Sequence, residues 1–534
     1  MADTIAATLA LPILGTSTLG GQLTTRDLQW VMSAAAVPYA ALLAAAGRLA
    51  DAIGRQRMLL IGAMLFTAGA MTALAAPSLT VLLGARMLQG AAAAAMIPAS
   101  LALLLAEISP ARRAAAIGSW SAAAGLGGVM LHGGGGWLAE QFGWRSLFAP
   151  SAILGALLVV AVMALPPSTT PRGRLPDLIG SALLLAGIGA SVLALSKGQV
   201  WGWRSLPTLG LAGGGGALVV AALWRSGRHP VPAVDITLWR RPSFLLAGVI
   251  ALLYGLISFS VLAIAPLFLR EQWGLSLAAV GLAMAPISVG VLLASLTSGR
   301  LTRRYGARPV IYAGVVVVVA ASLWLIAGAM HHQPRLPIWI PASALLGLGL
   351  GAISTGASAA AALSAGAARY ASAVGASMTA RQVGGAVGVA AAMVLLERPI
   401  LDGPMPGYSS VLAVVIMLAV AAGLLALFIW PASPDTVAPA AARVAGHTVS
   451  ADRSLLPSMS GPLAPVVPWP LLSVPLHGGQ QGRVTIQQMY AAAARFVAAA
   501  DYLLAQPERE ADDPRNDVRS RRRPMLPHAD SIRL

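Results

Sequence analysis

Thirteen long apolar runs follow one another along this chain, separated by short gaps that hold most of its arginines. A helix that crosses the hydrocarbon core of a bilayer needs about 20 mostly apolar residues, and each run is close to that length or longer. A shorter candidate near 3–20 brings the number of predicted spans to fourteen. The chain is therefore predicted to be an all-α polytopic membrane protein. The thirteen runs lie near 28–47, 58–76, 79–105, 114–138, 146–165, 177–196, 205–224, 243–269, 276–298, 309–329, 337–362, 373–396 and 409–431.

The composition supports a membrane protein and argues against a soluble one. Hydrophobic residues make up 57% of the 534 residues and charged residues 10%, whereas ordinary soluble domains carry roughly 25% charged residues. A net charge of +17 would indicate a nucleic-acid partner in a soluble protein. Here the arginines lie mostly between apolar runs, as in membrane loops, so no nucleic acid is expected. The sequence has no cysteine, which excludes disulfides and cysteine nucleophiles.

The gaps between the apolar runs alternate in their content of basic residues. If the first predicted span runs outward, one set of gaps holds sixteen arginines, against seven basic residues in the alternate set. Basic residues are enriched in the cytoplasmic loops of membrane proteins. The bias predicts a multi-pass protein of the cytoplasmic membrane whose C-terminus is cytoplasmic. The richer gaps lie at 48–57, 107–113, 166–176, 225–242, 299–308 and 363–372.

One basic sequence occurs twice, about half a chain apart. "GRLADAIGRQR" covers 47–57 and "GRLTRRYGARP" covers 299–309, after the second and the tenth predicted spans. Internal repeats are typical of transporters, whose substrate site lies between the two halves near the bilayer midplane. The repeat predicts two six-helix halves, at 1–165 and 243–431, with an inserted helix pair and a linker at 166–242.

Several short sequences resemble motifs of a known transporter family. "GRLADAIGRQR" is similar to motif A of the major facilitator superfamily, and "RMLQGAAAAA" is similar to its motif B. The opening "DTIAATLALP" and the later "RQVGGAVGVA" resemble the first and thirteenth helices of its fourteen-helix branch, the drug:proton antiporter-2 family. The resemblance covers residues 1 to about 431. The matching residues are Gly47, Asp51, Gly54, Arg55 and Arg57 in motif A, and Arg86, Gln89 and Gly90 in motif B.

The resemblance implies a major facilitator fold and a transport function. The expected activity is proton-coupled export of drug-like or lipophilic compounds across the cytoplasmic membrane by alternating access. The expected partners are a small lipophilic or cationic substrate, protons and the bilayer, with no cofactor besides the proton gradient, and the protein is expected to be monomeric. Two alternatives stay open. One is export of an endogenous metabolite or lipid, and the other is a non-transporting membrane sensor or scaffold with a degenerate transporter fold.

Four ionisable residues fall inside predicted spans: Asp3, Arg86, His132 and Arg381. Such residues are costly in hydrocarbon and are functional-site candidates. Asp3 is the one carboxylate among them. A carboxylate in hydrocarbon holds its proton more tightly, and a nearby arginine weakens that hold, so Asp3 and Arg86 form the candidate proton-coupling pair. In the alternative interpretation Arg86 caps backbone carbonyls and Asp3 is a solvated terminal group.

Asp51 stands among arginines in the first basic gap. The resemblance implies that this gap acts as a latch, in which the carboxylate engages a helix N-terminus or an arginine and stabilises one access state. The alternative is a turn whose arginines only anchor the membrane boundary. In the second copy Arg303 replaces the acid, so that copy is expected only to anchor and pack.

A glycine-rich sequence, "GLGGVMLHGGGGWL", covers 125–138. Antiporters of this family carry motif C here, with a Gly-Pro pair at the place where this chain has Leu131 and His132. The departure puts the expected kink in doubt and weakens this motif as support for antiport. His132 is either a group that titrates near neutral pH or a neutral, hydrogen-bonded histidine.

Aromatic and methionine side chains within the spans are candidates for a substrate cavity, since they tolerate many lipophilic ligands. Each has plain packing as its alternative. The sequence has no phosphate-binding loop, metal-ligand cluster or nucleophile elbow, so neither an enzyme nor a metal site is expected. The cavity candidates are Trp30, Tyr39, Tyr254, Phe259 and Met284, together with Arg381 and Gln382.

The two ends of the chain depart from the family pattern. Only Met1 and Ala2 precede Asp3, so either the true start lies upstream or the first helix is shortened. Residues 432–534 form a Pro-rich, basic segment with a possible amphipathic helix at 484–506. This tail is either solvated, with its helix resting on the protein or the membrane, or regulatory.

Overall fold

The computed structural model describes residues 25–166, 175–331, 333–402 and 405–428. Thirteen helices in these ranges are long and apolar enough to cross a membrane. The predicted spans from 28–47 onward match them in number and order. The candidate span near 3–20, Asp3, and the tail at 432–534 with its helix at 484–506 lie outside the described residues.

The helices are numbered here in chain order, and a single helical turn, Ile236–Trp239, precedes the eighth. They are α1 Thr25–Ile53, α2 Arg55–Leu74, α3 Leu79–Glu107, α4 Arg113–Phe142, α5 Ala149–Met163, α6 Leu178–Trp201, α7 Leu206–Ser226, α8 Pro242–Leu267, α9 Leu277–Tyr305, α10 Ala307–Trp324, α11 Leu336–Ser364, α12 Tyr370–Glu397 and α13 Pro406–Ala426.

The two basic repeats are largely helical, contrary to the prediction that they are loops. α1 continues to Ile53 and α9 continues to Tyr305, so most of each repeat forms the last two turns of a helix. Hydropathy records only the part of a helix that lies in hydrocarbon, whereas backbone hydrogen bonding continues into polar residues. The chain reverses at Gly54, with φ 106°, and at Gly306, with φ 86°. Both values favour glycine, which has no Cβ to clash.

The two halves meet along two antiparallel helix pairs, α1 with α12 and α4 with α9. Small residues line both contacts. A Cβ on Gly47 would overlap the carbonyl oxygen of Ala371, and a Cβ on Gly118 would lie 2.6 Å from the Cα of Gly299. Small residues let the backbones of membrane helices approach closely, so these glycines fix how near the halves come to each other.

The inserted helices α6 and α7 pack against each other, and α6 also contacts α1 and α12. The ends remote from their connecting loop are joined by an ion pair: the Arg225 Nε and Nη2 atoms lie 2.6 Å and 3.1 Å from the two carboxylate oxygens of Asp177. These hydrogen bonds hold the pKa of the Asp177 carboxyl below its usual range. The pair therefore connects the start of α6 to the end of α7.

Candidate functional site

The end of the helix bundle that carries both basic repeats is called the basic end here. At this end Asp51, in the last turn of α1, reaches the other half. Its Oδ2 accepts hydrogen bonds from the backbone N–H of Ser372, at 2.8 Å, and from the Ser372 hydroxyl, at 2.6 Å. Ser372 lies in the first turn of α12. The carboxylate thus caps the N-terminus of α12, where backbone N–H groups lack partners and the helix dipole favours a negative charge.

Arg55, the first residue of α2, binds the other oxygen of the same carboxylate. Its Nε and Nη2 atoms lie 3.2 Å and 3.0 Å from Asp51 Oδ1. Arg55 also donates to the carbonyl oxygen of Ala102, at 3.2 Å, and to that of Ala367. The residue is 2% exposed. One buried guanidinium therefore connects α1, the end of α3 and the segment before α12.

The other motif A residues have separate positions. Gly47 packs against α12, and Gly54 forms the reversal between α1 and α2. Arg57 is exposed on α2. The ring of Tyr370 lies between two cations, with the guanidinium carbons of Arg55 and Arg113 at 5.8 Å and 5.4 Å from its centroid. The sequence did not single out Tyr370 or Arg113.

The linker between α7 and α8 adds a second set of contacts at the basic end. Asp235 forms an ion pair with Arg369 at 3.1 Å, and Arg369 also donates to the Thr237 hydroxyl at 2.9 Å. Arg241 donates to the carbonyl oxygen of Ser364 at 2.7 Å, and Arg48 donates to that of Pro232 at 3.2 Å. The linker is thereby bound to α1 and to the segment between α11 and α12. Sequence analysis missed these pairs because their partners are far apart in the chain.

A second carboxylate meets a helix start at the opposite end of the bundle. Glu140, in the last turn of α4, accepts a hydrogen bond at 3.2 Å from the backbone N–H of Ala278, in the first turn of α9. Glu140 is exposed, and Ser276 already caps this helix start through the N–H of Ala279. The contact is therefore weaker than that of Asp51, but it bridges the same two halves.

The motif B residues lie on α3 and face the interior of the first half. Arg86 is 2% exposed, donates to the Gln89 Oε1 atom at 3.0 Å, and has its guanidinium carbon 5.8 Å from the ring centroid of Phe148. A Cβ on Gly90 would overlap the carbonyl oxygen of Ala35, so Gly90 lets α3 approach α1. The predicted partner of Arg86, Asp3, lies outside the described residues.

His132 bridges the halves within the α4–α9 contact. Its Nδ1 lies 2.9 Å from the Ser288 Oγ, and both residues are buried. A Cβ on Gly281 would lie 2.6 Å from the His132 carbonyl oxygen, so the two helices touch closely beside this pair. Helix α4 runs unbroken from Arg113 to Phe142 through the residues that replace the expected Gly-Pro pair.

Three of the predicted cavity residues come together where α1, α8, α11 and α12 meet. The guanidinium carbon of Arg381, on α12, lies 4.5 Å from the ring centroid of Tyr254, on α8. Arg381 also lies 3.4 Å from the Tyr254 hydroxyl and from the Ser354 hydroxyl of α11. Tyr39, on α1 of the other half, is close enough to interact electrostatically with Arg381. These four residues are called the Arg381 cluster below.

Of the remaining cavity candidates, two lie near this cluster and two lie elsewhere in the bundle. Gln382 follows Arg381 and is partly exposed, and the ring of Phe259 packs against the backbone of Gly385 on α12. Met284 is 2% exposed and belongs to the apolar core of the second half, so it packs rather than lines an opening. Trp30 lies near the start of α1, with the Lys197 Nζ 4.0 Å from its ring centroid.

Lys197 is a buried cation that sequence analysis did not select. It is the single lysine of the chain, and its side chain is fully buried near the end of α6. Only its rarity in the sequence could have drawn attention to it. Over the described ranges, no three His, Asp or Glu side chains gather closely enough to hold a metal ion.

The sequence profile described as the Major Facilitator Superfamily matches residues 1–247 and 247–476. The chain belongs to this superfamily. Membership confirms a major facilitator fold and a transporter rather than an enzyme. A solved structure with the same fold is that of the human organic anion transporter MFSD10, with a TM-score of 0.58 and 17% identity over 80% of this chain and 96% of that one. The structure of the proton:xylose symporter XylE, with a TM-score of 0.56 and 14% identity, covers 80% and 92%.

Curated relatives are named as resistance and transport proteins. The multidrug resistance protein Stp of Mycobacterium tuberculosis is 32% identical over 350 residues, which are 65% of this chain and 63% of that protein. A probable actinorhodin transporter of Streptomyces coelicolor is 30% identical over 62% of this chain and 59% of its own length. The methylenomycin A resistance protein of the same organism is 29% identical over 70% and 78%. The chain thus spans less than two thirds of the length of Stp and of the actinorhodin transporter.

Proposed function

We propose that the protein exports drug-like compounds across the cytoplasmic membrane by alternating access, and that proton entry drives the export. The observation that carries the proposal is the contact of Asp51 with the first turn of α12, since it joins the two halves at the basic end through a buried, charged network. The names of the relatives, which refer to multidrug and methylenomycin A resistance, support drug-like substrates.

The Asp51 contact is suited to a two-state device. Opening the basic end requires α1 and α12 to separate, which breaks two hydrogen bonds from Ser372 to Asp51 and the one from Arg55 to Ala367. Hydrogen bonds to charged groups contribute about 1.5–3 kcal/mol each. By the positive-inside rule the basic end faces the cytoplasm. The network then stabilises the state that is closed to the cytoplasm, and a substrate must offset this stabilisation when it opens that side.

Proton coupling is assigned to Asp3 and Arg86. In the proposal, a proton that enters from outside neutralises Asp3 and frees it from the arginine, which changes the relative stability of the two access states. The burial of Arg86 on α3 supports this role, because an ionisable group inside a membrane span is a candidate for a functional site.

The test is the efflux of an anionic dye, fluorescein, and of a cationic dye, ethidium, from cells that make the chain, with and without a protonophore. We expect both the protonophore and Asp3→Asn to abolish efflux, whereas Asp402→Asn, which removes an exposed acid between α12 and α13, leaves it unchanged. The amount of each variant in the membrane is measured alongside. Efflux that persists with the gradient collapsed would rule out proton coupling.

A second candidate is export of one compound rather than of many. The relative named as a probable actinorhodin transporter favours it, since that name refers to a single compound. The two candidates differ in the range of toxic compounds to which the chain gives resistance. Protection against several chemically unrelated dyes supports multidrug export, and protection against none of them favours the single-compound exporter.

A further inference from the structure

Arg381 is a cation with neutral partners in the contact region between the two halves. Its hydrogen-bond partners are the hydroxyls of Tyr254 and Ser354, both at the long distance of 3.4 Å. Its Nε is buried and has no hydrogen-bond partner among the described residues. The side chain is nevertheless partly exposed, as are Tyr39 and Ser354. The guanidinium therefore has N–H groups without partners among the described residues, on a side chain that is partly accessible.

No described carboxylate is placed to neutralise Arg381. Every carboxylate in the described ranges lies in the first or last turn of a helix or in a connecting segment, whereas Arg381 lies in the middle of α12. An unpaired guanidinium in a region of low dielectric constant is costly, and a ligand with a negative charge removes that cost. The carboxylates are Asp27, Asp51, Glu107, Glu140, Asp177, Asp235, Glu271, Glu397 and Asp402.

The surroundings of Arg381 also select the shape of the ligand. The Tyr254 ring lies 4.5 Å from the guanidinium carbon, Tyr39 of the other half is near enough to interact with it electrostatically, and Phe259 packs on α12 one turn further along. Aromatic side chains offer flat apolar faces to a ring, and a guanidinium presents a planar pair of donors to a carboxylate or sulfonate. The cluster thus combines one guanidinium that can bind an anion with aromatic side chains around it.

We propose that the Arg381 cluster is the substrate-binding site and that it selects aromatic anions over aromatic cations. This inference rests on the proposed export function for the route of the substrate, but it names the class of substrate. The acidic group of the ligand pairs with the two Nη atoms of Arg381, and its rings lie between Tyr39 and Phe259. The site joins α1 to α8 and α12, so an occupied site affects how the two halves fit together.

The test uses two dyes with the same xanthene ring, fluorescein as the anion and rhodamine 6G as the cation. Binding of each dye to the purified full chain is measured by fluorescence polarisation, and efflux of each dye is measured in cells. The variants are Arg381→Gln, which removes the charge, and Arg381→Lys, which keeps the charge without the planar donor pair. The matched control is Arg398→Gln, which removes an exposed arginine just beyond the end of the same helix.

We expect Arg381→Gln to weaken fluorescein binding by about tenfold or more, as for the loss of hydrogen bonds to a charged group. Rhodamine 6G binding should be unchanged or tighter in this variant, which also shows that the variant is folded. Arg381→Lys should keep part of the fluorescein affinity, and Arg398→Gln all of it. The proposal is overturned if the unaltered chain does not bind fluorescein, or if Arg381→Gln weakens both dyes equally.

The two proposals fail in distinguishable ways. If fluorescein binds through Arg381 but neither dye leaves the cells, the binding site stands and the export function fails. If rhodamine 6G leaves the cells in a protonophore-sensitive way while fluorescein does not bind, export stands and the selection of anions is wrong.

Discussion

The two copies of the basic repeat have the same backbone arrangement but different side-chain contacts. Gly47 and Gly299 each pack against a helix of the opposite half, and Gly54 and Gly306 each reverse the chain with a positive φ. The position of Asp51 in the first copy is occupied in the second by Arg303, which is exposed. The glycines therefore provide a packing arrangement that both copies share, whereas the inter-half hydrogen bonds belong to the first copy alone.

The helix N-termini that face the two copies also differ in the groups that they present. The N-terminus of α12 offers the N–H and hydroxyl of Ser372, which Asp51 binds. The N-terminus of α4, near the second copy, begins with Arg112 and Arg113. Positive side chains at a helix start oppose the dipole, so α4 is left without the carboxylate that favours such a position. The first copy therefore makes hydrogen bonds to the helix start that faces it, and the second packs against its partner helix through Gly299.

The largest expected effect comes from breaking the shared packing at Gly47. We expect Gly47→Leu to abolish dye efflux and to lower the melting temperature of the purified protein, because even its Cβ overlaps the Ala371 carbonyl. Overpacking typically costs about 1–3 kcal/mol. The control is Gly84→Leu on α3, where nothing lies within 4 Å of an added Cβ. Equal efflux by the two variants would contradict the close α1–α12 contact.

Asp51→Asn removes the carboxylate charge that distinguishes the first copy from the second. We expect efflux to fall by about tenfold, because the ion pair with Arg55 and the charge on the α12 N-terminus are lost at nearly constant volume. The melting temperature should change less than in Gly47→Leu. Arg303→Gln is the matched change in the second copy and should leave efflux unaltered. A loss of efflux in Arg303→Gln as large as that in Asp51→Asn would mean that the copies are equivalent.

The Asp235–Arg369 pair adds a smaller contribution beside Asp51. Arg369 is 42% exposed at its side chain, and exposed ion pairs contribute about 0.2–1 kcal/mol. We expect Asp235→Asn and Arg369→Gln each to lower efflux less than fivefold, an approximate bound that follows from that free energy. A double-mutant cycle measured on efflux isolates the pair. A coupling free energy of zero between the two changes would show that the linker contact does not affect opening of the basic end.

Asp177 provides a carboxylate–arginine pair that does not join the halves, so it should affect stability and not transport. Its pKa is lowered in the folded state by Arg225. The pair therefore stabilises the folded protein above the unfolded pKa, near 3.9. That stability is lost as the pH falls through the lower, folded pKa. We expect Asp177→Asn to lower the melting temperature at pH 7, by an amount that shrinks toward acidic pH, with unchanged efflux. A clear loss of efflux at normal protein amounts would assign the inserted pair a role in transport.

The order of the helices could be predicted because hydropathy and basic gaps are local properties of the sequence. The positions of Gly47, Asp51 and Arg55 could be predicted from the motif, and the structure places Asp51 against both a helix N-terminus and an arginine. The motif did not name their partners. Ser372 lies 321 residues from Asp51, and Arg369 lies 134 residues from Asp235. Such pairs depend on which helices pack together, and a single sequence does not record that.

Two of the cavity candidates lie apart from the Arg381 cluster. Met284 is on a face of α9 that packs into the core of the second half. Trp30 lies beside Lys197 near the start of α1. Residues of similar chemistry are indistinguishable until helix rotation and depth are known. Arg381 and Tyr254 were selected by the same reasoning, and packing brings those two together.

The charge of Arg381 has an electrical consequence. A unit charge that crosses the whole membrane field gains or loses about 2.3 kcal/mol per 100 mV. Alternating access changes the electrical potential at Arg381 without moving the residue. A cavity that is open to one side of the membrane takes the potential of that side. With the cell interior negative, a cavity with a net positive charge is most stable when it faces the cytoplasm. The membrane potential would therefore favour the cytoplasm-facing state of the empty carrier and oppose the Asp51 contact, which favours closure on that side, and binding of an anion would remove this electrical bias.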